Sequence, residues 1–267
     1  MAKRAREHVR PMRGGAQAHL LRCEDDAYYV TKFQNNPQDI RILANEMLAF
    51  GLAEALGLPV ARGEVVDVSP ELIDGTAELR IHRGGKWEKC RPGFQFGSRF
   101  PGQPGRAIIF DLLPDDRLAE VTNLADFAGM LLFDQWTCNT NGRQVLFLAE
   151  PHLQRGYRAL MIDQGFCFNA GEWSFPDSPL RGLYLRHRVY SNIRGWQSFE
   201  PFLERLENLK PGVLYEACAS IPPEWYNHDT EAMTRLLEQL NLRRRRIREL
   251  LSATRNSSRQ PFSNWRN

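Results

Sequence analysis

Three charged side chains and one polar loop carry the chemistry open to this sequence. Asp163 ends an apolar run, Leu160-Met161-Ile162, and Gly165 follows it two residues later. A carboxylate at the end of a buried strand, beside a glycine that lets the backbone turn sharply, suits a metal ligand that faces a phosphate. Asp also starts turns at strand ends by bonding its own backbone, and most Asp-x-Gly tripeptides do no more than that. Lys32 closes an aromatic and β-branched run, Ala27 to Phe33, and shares a strand face with Val30 because side chains alternate. A lysine there is ordinarily an edge residue with its stem along apolar surface. Glu46 sits beside Met47 at the margin of an apolar helical stripe. Taken alone it reads as a solvated flank; the other reading is the partner of a buried cation. The loop Asn139-Thr140-Asn141-Gly142-Arg143-Gln144 is rich in amides that can hydrogen-bond or coordinate but cannot accept a proton at neutral pH.

The elements that must hold these groups are legible in outline. His19 to Cys23 and Ala27 to Phe33 read as a hairpin around the acidic turn Glu24-Asp25-Asp26. Asn36-Pro37 predicts a helix start, and Ile40, Leu43, Ala44, Met47, Leu48, Leu52 and Leu56 continue it until Gly57 and Pro59. Strands are expected over Val60–Val68, over a hairpin around Gly84-Gly85, and over Gly93–Phe100; Pro101-Gly102-Gln103-Pro104-Gly105 then breaks the chain. An almost wholly apolar helix from Asn123 to Trp136 runs into the polar loop. A strand from Val145 to Leu148, a loose connection and the strand ending at Asp163 follow. Beyond a Pro/Gly-rich loop from Asn169 to Gly182, helices are expected near Phe199–Leu206, near Val213–Ser220 and over Glu231–Leu251.

Composition excludes several classes. The 267 residues, 42% apolar, can bury a large core, and no apolar run is long enough to span a bilayer. No secretory signal is read at the N-terminus, so a cytoplasmic setting is expected. The five cysteines are odd in number and widely spaced, which predicts reduced thiols without a zinc pattern. The six histidines show no ligand spacing, and there is no Gly-x-Ser-x-Gly elbow. The net charge of +3 divides into +4 over residues 1–13, +7 over residues 243–267 and −8 between them. Nucleic acid is therefore an expected partner only through the basic ends.

Taken together, the strand lysine, the helix glutamate, the polar loop and Ile162-Asp163-Gln164-Gly165-Phe166-Cys167-Phe168 resemble the HipA-like kinases and the related phosphatidylinositol 3/4-kinase-like branch. The resemblance spans roughly residues 12 to 250. It implies an α+β, bilobal protein-kinase-like fold, with a β-rich N-lobe carrying one helix and a mainly α-helical C-lobe. The corresponding division is a flexible basic arm over 1–11, the N-lobe over 12–100, a hinge over 101–106, the C-lobe over 107–251 and a disordered tail over 252–267. It also implies ATP and Mg²⁺ as cofactors. Lys32 would neutralise the phosphates and be held by Glu46, Val30 would cap the adenine, and Gly14 and Gly15 would let backbone N–H groups approach the phosphates. Asp163 would hold the metal, with Asn139 or Gln144 as a second ligand. Asn141 stands where the family places an acid that orients or accepts the substrate hydroxyl, and Leu146 stands where a second metal-binding Asn is expected. Asp134 reads as a helix-end residue supporting the loop, with base as the lesser reading.

The function expected from this resemblance is phosphoryl transfer to a protein hydroxyl. A nucleotide-binding pseudokinase that acts on a regulatory partner is the alternative. A DNA-associated regulator using the basic ends is a third reading. Asn141 before Gly142 is also a chemically labile pair, because the unhindered amide that follows can attack the side chain.

Overall fold

The computed structural model describes residues 2–149 and 156–266. In chain order the elements are β1 (Lys3–Pro11), β2 (His19–Cys23), β3 (Tyr28–Lys32), α1 (Arg41–Ala55), β4 (Gly63–Val68), α2 (Pro70–Gly75), β5 (Arg80–Arg83), β6 (Lys86–Lys89) and β7 (Gly93–Arg99). There follow β8 (Ile109–Phe110), α3 (Asp126–Thr137), β9 (Gln144–Ala149), β10 (Tyr157–Ile162), α4 (Phe202–Glu207), α5 (Pro211–Cys218), α6 (Thr230–Arg243) and α7 (Ile247–Arg255). Strands β1-β2-β3-β7-β4 close into a barrel, β5 and β6 form a hairpin, and β10-β9-β8 form a second sheet under the helices. The arrangement is α+β, with a β-rich lobe followed by a helical one, as expected. The first lobe holds a second, short helix beside the expected one: α2, started by Ser69, whose hydroxyl accepts the Leu72 N–H at 3.2 Å.

Two expectations about the ends are corrected. Residues 1–11 were expected as a flexible arm, but Lys3–Pro11 form β1, antiparallel to β2 and parallel to β4 at Lys3↔Val66 and Arg4↔Asp67. Of this strand only Ala5 is buried, so backbone ladders hold it where an apolar pattern would otherwise have announced it. Residues 252–267 were expected to be disordered, yet α7 runs to Arg255 and the chain beyond it is anchored. Phe262 is buried, Trp265 stacks on Phe262 and meets Trp196 edge-on, and the Arg266 N–H bonds to the Arg194 carbonyl. Two aromatic residues outweigh the polar composition around them.

Smaller differences are also physical. Helix α1 begins at Arg41 rather than at Asn36-Pro37: Asn36 Oδ1 accepts the Gln38 N–H and Asp39 Oδ1 the Arg41 N–H, which spends the preceding residues on turns. Strand β4 begins at Gly63, while Val60 bridges to Met161. The single last helix divides into α6 and α7 at a tighter turn over Arg244–Arg246, where Arg243 turns inward to the carbonyls of Gln135 and Trp136 and to Asp177. The connection expected between β9 and β10 falls largely on 150–155, outside the described residues.

The main core surrounds α3, whose Phe127, Leu131, Leu132, Phe133 and Trp136 are fully buried. Gly129 in this helix admits Phe202, whose ring lies 2.4 Å from where a Cβ would stand. The lobes are joined by backbone as well as by side chains. Met161 N–H donates to the Pro59 carbonyl at 2.6 Å, and Ala61 N–H donates to the Met161 carbonyl at 3.1 Å. Trp225 Nε1 donates to Phe94 O and Arg205 to Leu56 O.

Candidate active site

Strand alternation places Lys32 on the outer face of the barrel, since Tyr29 belongs to the barrel's own apolar cluster and Val30 shares the half-open side. Helix α1 then has to answer it. Every residue from Ile42 to Ala49 is buried, so Asn45 and Glu46 are polar groups in a helix covered all round and need partners. Glu46 has them: its carboxylate takes Lys32 Nζ on one oxygen and the Gln164 N–H, at 2.9 Å, on the other. Lys32 also donates to Asp163 Oδ1 at 2.6 Å. Residues far apart in the chain thus meet at one ammonium. The solvated-flank reading of Glu46 is excluded.

Electrostatics follow from burial. Desolvation works against the charged Lys32, but two facing carboxylates more than offset it and its pKa is raised. Desolvation raises Glu46, and Lys32 offsets this only in part. Burial also opposes ionisation of Asp163, but Lys32 overrides it and Asp163 lies below the usual carboxylate range. Asp163 has φ 59, a left-handed conformation that costs a non-glycine residue roughly 1–3 kcal/mol and must be held by its surroundings.

Those surroundings are unusually specific. A Cβ on Gly165 would lie 2.6 Å from Ile42 Cγ2, so only glycine lets the turn approach α1 this closely. Asn45 Nδ2 donates to the carbonyls of Gly165, Cys167 and Ala170, and its Oδ1 accepts Trp173 Nε1 at 2.7 Å. Arg41 lies over the Trp173 ring and donates to Gly171 O. Phe168, Asn169, Ala170 and Trp173 all have positive φ. The segment after Asp163 is therefore shaped by α1.

The polar loop begins where Cys138, at φ 55, ends α3. It is tied to the same segment, with Thr140 N–H on Phe166 O and Asn169 N–H on Cys138 O. Asp134 and Arg143 form a fully buried ion pair beneath it, with Nε to Oδ2 at 2.8 Å and a second contact from Nη2 to Oδ1. Arg143 also donates to Ile162 O and, at 2.7 Å, to Gln164 Oε1. Burial pushes Asp134 upward, opposed by Arg143. Asp134 is spent on support, as expected, and is not placed to act as a base. Gly182 passes directly over it: a Cβ there would sit 2.0 Å from Asp134 Cβ.

The second metal ligand needs correction. Asn139 is buried, donates to Asp134 Oδ1 and accepts the Asn141 N–H, so both ends of its amide are engaged away from Asp163. Gln144 is the amide beside Asp163, with Nε2 3.0 Å from Oδ2. Turned over, it presents its carbonyl oxygen at the same place. Among the described residues no group of three His, Cys, Asp or Glu side chains could hold a metal alone. Asp163 with Gln144 suits a hard cation that keeps most of its coordination for phosphate oxygens and water, as Mg²⁺ does.

Of the other expected site residues, Asn141 is half-buried in the loop, and its Oδ1 accepts the Gly142 N–H at 2.9 Å. Gly14 and Gly15 lie in the exposed loop between β1 and β2 and are not hydrogen-bonded to the Lys32 network. Gly14 has φ +124, and Gln17 pins the loop to both backbone groups of His82. Asn45, Arg143 and Gln164 were not anticipated. The signal for Asn45 was available: an Asn-Glu pair inside an otherwise apolar helix.

Comparison with known proteins bears on the fold and the family. The chain is similar in structure to hydra Fam20 (TM-score 0.60, 13% identity, 96% of this chain and 87% of that one). It is also similar to a Golgi casein kinase solved with Mn/ADP bound (0.51, 12%, 97% and 74%) and to the Helicobacter pylori proinflammatory kinase CtkA (0.50, 12%, 89% and 96%). At such identities the likeness is one of fold. No curated protein matches the chain. A sequence model of the HipA-like kinases, in contrast, matches residues 7–259, nearly the whole length, and the chain belongs to the HipA-like kinase family.

Proposed function

We propose that the site around Lys32, Glu46 and Asp163 binds ATP with Mg²⁺ and passes the terminal phosphoryl group to a Ser or Thr hydroxyl of a protein. The observation that carries this reading is Lys32 held between Glu46 and Asp163, a cation fixed by one buried acid and shared with a second, more exposed one. In phosphoryl transfer the protein's work is positioning and charge neutralisation, and each residue has a part in that. Lys32 would meet phosphate oxygens while Glu46 keeps it in place. Asp163 and Gln144 would hold the metal, which would supply positive charge against the phosphates. Gly14 and Gly15 leave backbone room over the phosphates, and Val30 offers apolar surface for the base. Asn141 would orient the acceptor hydroxyl by hydrogen bonding. The Mn/ADP carried by the Golgi casein kinase supports nucleotide and divalent metal as the ligand class. Kinship with the phosphatidylinositol 3/4-kinase-like branch rests on the Asp163 motif.

One observation favours a second reading, a nucleotide-binding regulator with a protein partner. No carboxylate stands ready in the polar loop, since Asn141 is an amide and Asp134 is locked to Arg143. Thermal unfolding with and without Mg-ATP tests the site common to both readings. A hundredfold excess of ligand over Kd stabilises a folded state by about 2.7 kcal/mol. The expected result is a rise in Tm for the wild type that Lys32→Ala and Asp163→Ala abolish; no rise at saturating nucleotide refutes both. Transfer of labelled terminal phosphate, with Asp163→Ala as control, then separates enzyme from regulator.

A further inference from the structure

We propose that Asn141 is a self-modification site, at which cyclisation onto Gly142 and hydrolysis replace the amide by a carboxylate and so supply the acid that the polar loop lacks. Asn141 Oδ1 accepts the Gly142 N–H at 2.9 Å, which folds the side chain back over the peptide unit that follows and brings its carbonyl carbon beside that nitrogen. Gly142 is exposed and has no side chain to obstruct the approach. The backbone is steadied from behind, because the Asn141 N–H rests on Asn139 Oδ1 and Asn139 in turn on buried Asp134. Asn139 provides the contrast. It is buried, precedes Thr140, and has both ends of its amide engaged.

The step balances with water alone. Gly142 N gives its proton to water and bonds to Asn141 Cγ, and the side-chain nitrogen leaves as ammonia with that proton. Water then opens the five-membered imide at either carbonyl, giving an aspartyl or an isoaspartyl linkage. One neutral amide becomes one anion. The other acids of the site are occupied: Glu46 and Asp163 on Lys32, Asp134 on Arg143. The new carboxylate would be the one group in the loop able to accept a proton from a hydroxyl, a role worth roughly 10²–10⁴-fold in rate. That consequence rests on the phosphoryl-transfer reading; the modification itself does not.

The experiment ages purified full-length protein in ¹⁸O-labelled water at mildly alkaline pH. Samples are followed by peptide mass spectrometry and by transfer of labelled terminal phosphate. Wild type, Asn141→Asp, Asn141→Gln and Gly142→Ala are compared. Gly142→Ala is a fair control, since its Cβ would make an ordinary 3.4 Å contact with Leu183 O. The expected result is ¹⁸O incorporation at Asn141 and not at Asn139, with little in Gly142→Ala. Transfer should rise with the aspartyl fraction, separated chromatographically from the isoaspartyl one, toward that of Asn141→Asp, roughly 10²-fold above Asn141→Gln. An Asn141 that stays unmodified in wild type, or converts as fast in Gly142→Ala, overturns the proposal. So does conversion that yields no aspartyl form, or an aspartyl form without any gain in transfer. Failure of the kinase reading appears separately, as loss of the Mg-ATP shift in Tm in every variant.

Discussion

Replacing Lys32 by Met leaves an unbranched chain of similar length and removes the charge that two carboxylates share. Glu46 stays buried, since α1 is covered on all sides from Ile42 to Ala49. Breaking a buried pair from one side costs about 3–5 kcal/mol when the remaining charge cannot escape. Glu46 can escape by taking up a proton, because burial already raises its pKa even with Lys32 present. A carboxyl whose folded pKa lies above its unfolded value contributes stability below the unfolded pKa and loses it as pH rises through the folded one. Asp163 acts in the other direction in the wild type. Its depressed pKa contributes stability above the unfolded value, which is lost as pH falls through the folded value, and the substitution removes that contribution. The Asp163 contribution is complete above about pH 4 and adds a constant deficit from there upward, so between about pH 5 and 8 it is Glu46 that makes the variant's deficit grow with pH. Urea unfolding should give a deficit of about 3–5 kcal/mol at about pH 8, narrowing to about 1–2 kcal/mol at about pH 5. A deficit that does not change with pH, or one under about 1 kcal/mol at the higher pH, would refute a buried Lys32–Glu46 pair.

Asn45→Ala removes donors to three carbonyls and the acceptor of Trp173 Nε1. A loss of about 2–4 kcal/mol is expected, with a red shift of tryptophan emission as Trp173 loosens. Asp134→Asn keeps the shape but leaves Arg143 buried without its counter-charge, so about 3–5 kcal/mol should be lost and nucleotide affinity should fall with it, measured by denaturant unfolding and calorimetry. Phe262→Ala should cost about 3–5 kcal/mol in urea unfolding, where a disordered tail would cost nothing.

The charged centre was legible through the family resemblance, because strand and helix periodicities alone left Lys32 an edge residue and Glu46 a solvated flank. What sequence could not supply was the direction of amides. Asn139 was the expected second ligand with Gln144 as its alternative, and the structure separates them through Asp134, which captures Asn139 and leaves Gln144 beside Asp163. The ends misled for opposite reasons. Strand β1 has one buried side chain in nine and is held by its backbone, whereas the C-terminal segment is polar except for the aromatic groups that fasten it. The basic C-terminal run misled as well: Arg243, Arg244, Arg246 and Arg248 all bind within the chain, so charge counted along the sequence overstates charge on offer to a partner.

The backbone pairing of Met161 with Pro59 and Ala61 bears on how the two lobes can move. Asp163 lies two residues beyond that pairing, and Asn45 and Glu46 grip the chain on its far side. Swinging the lobes apart would tear a short ladder and strip a buried acid at once. On the phosphoryl-transfer reading, ligand exchange would then fall to segments away from that spine, such as the loop that carries Gly14 and Gly15 and is tied to His82 by Gln17.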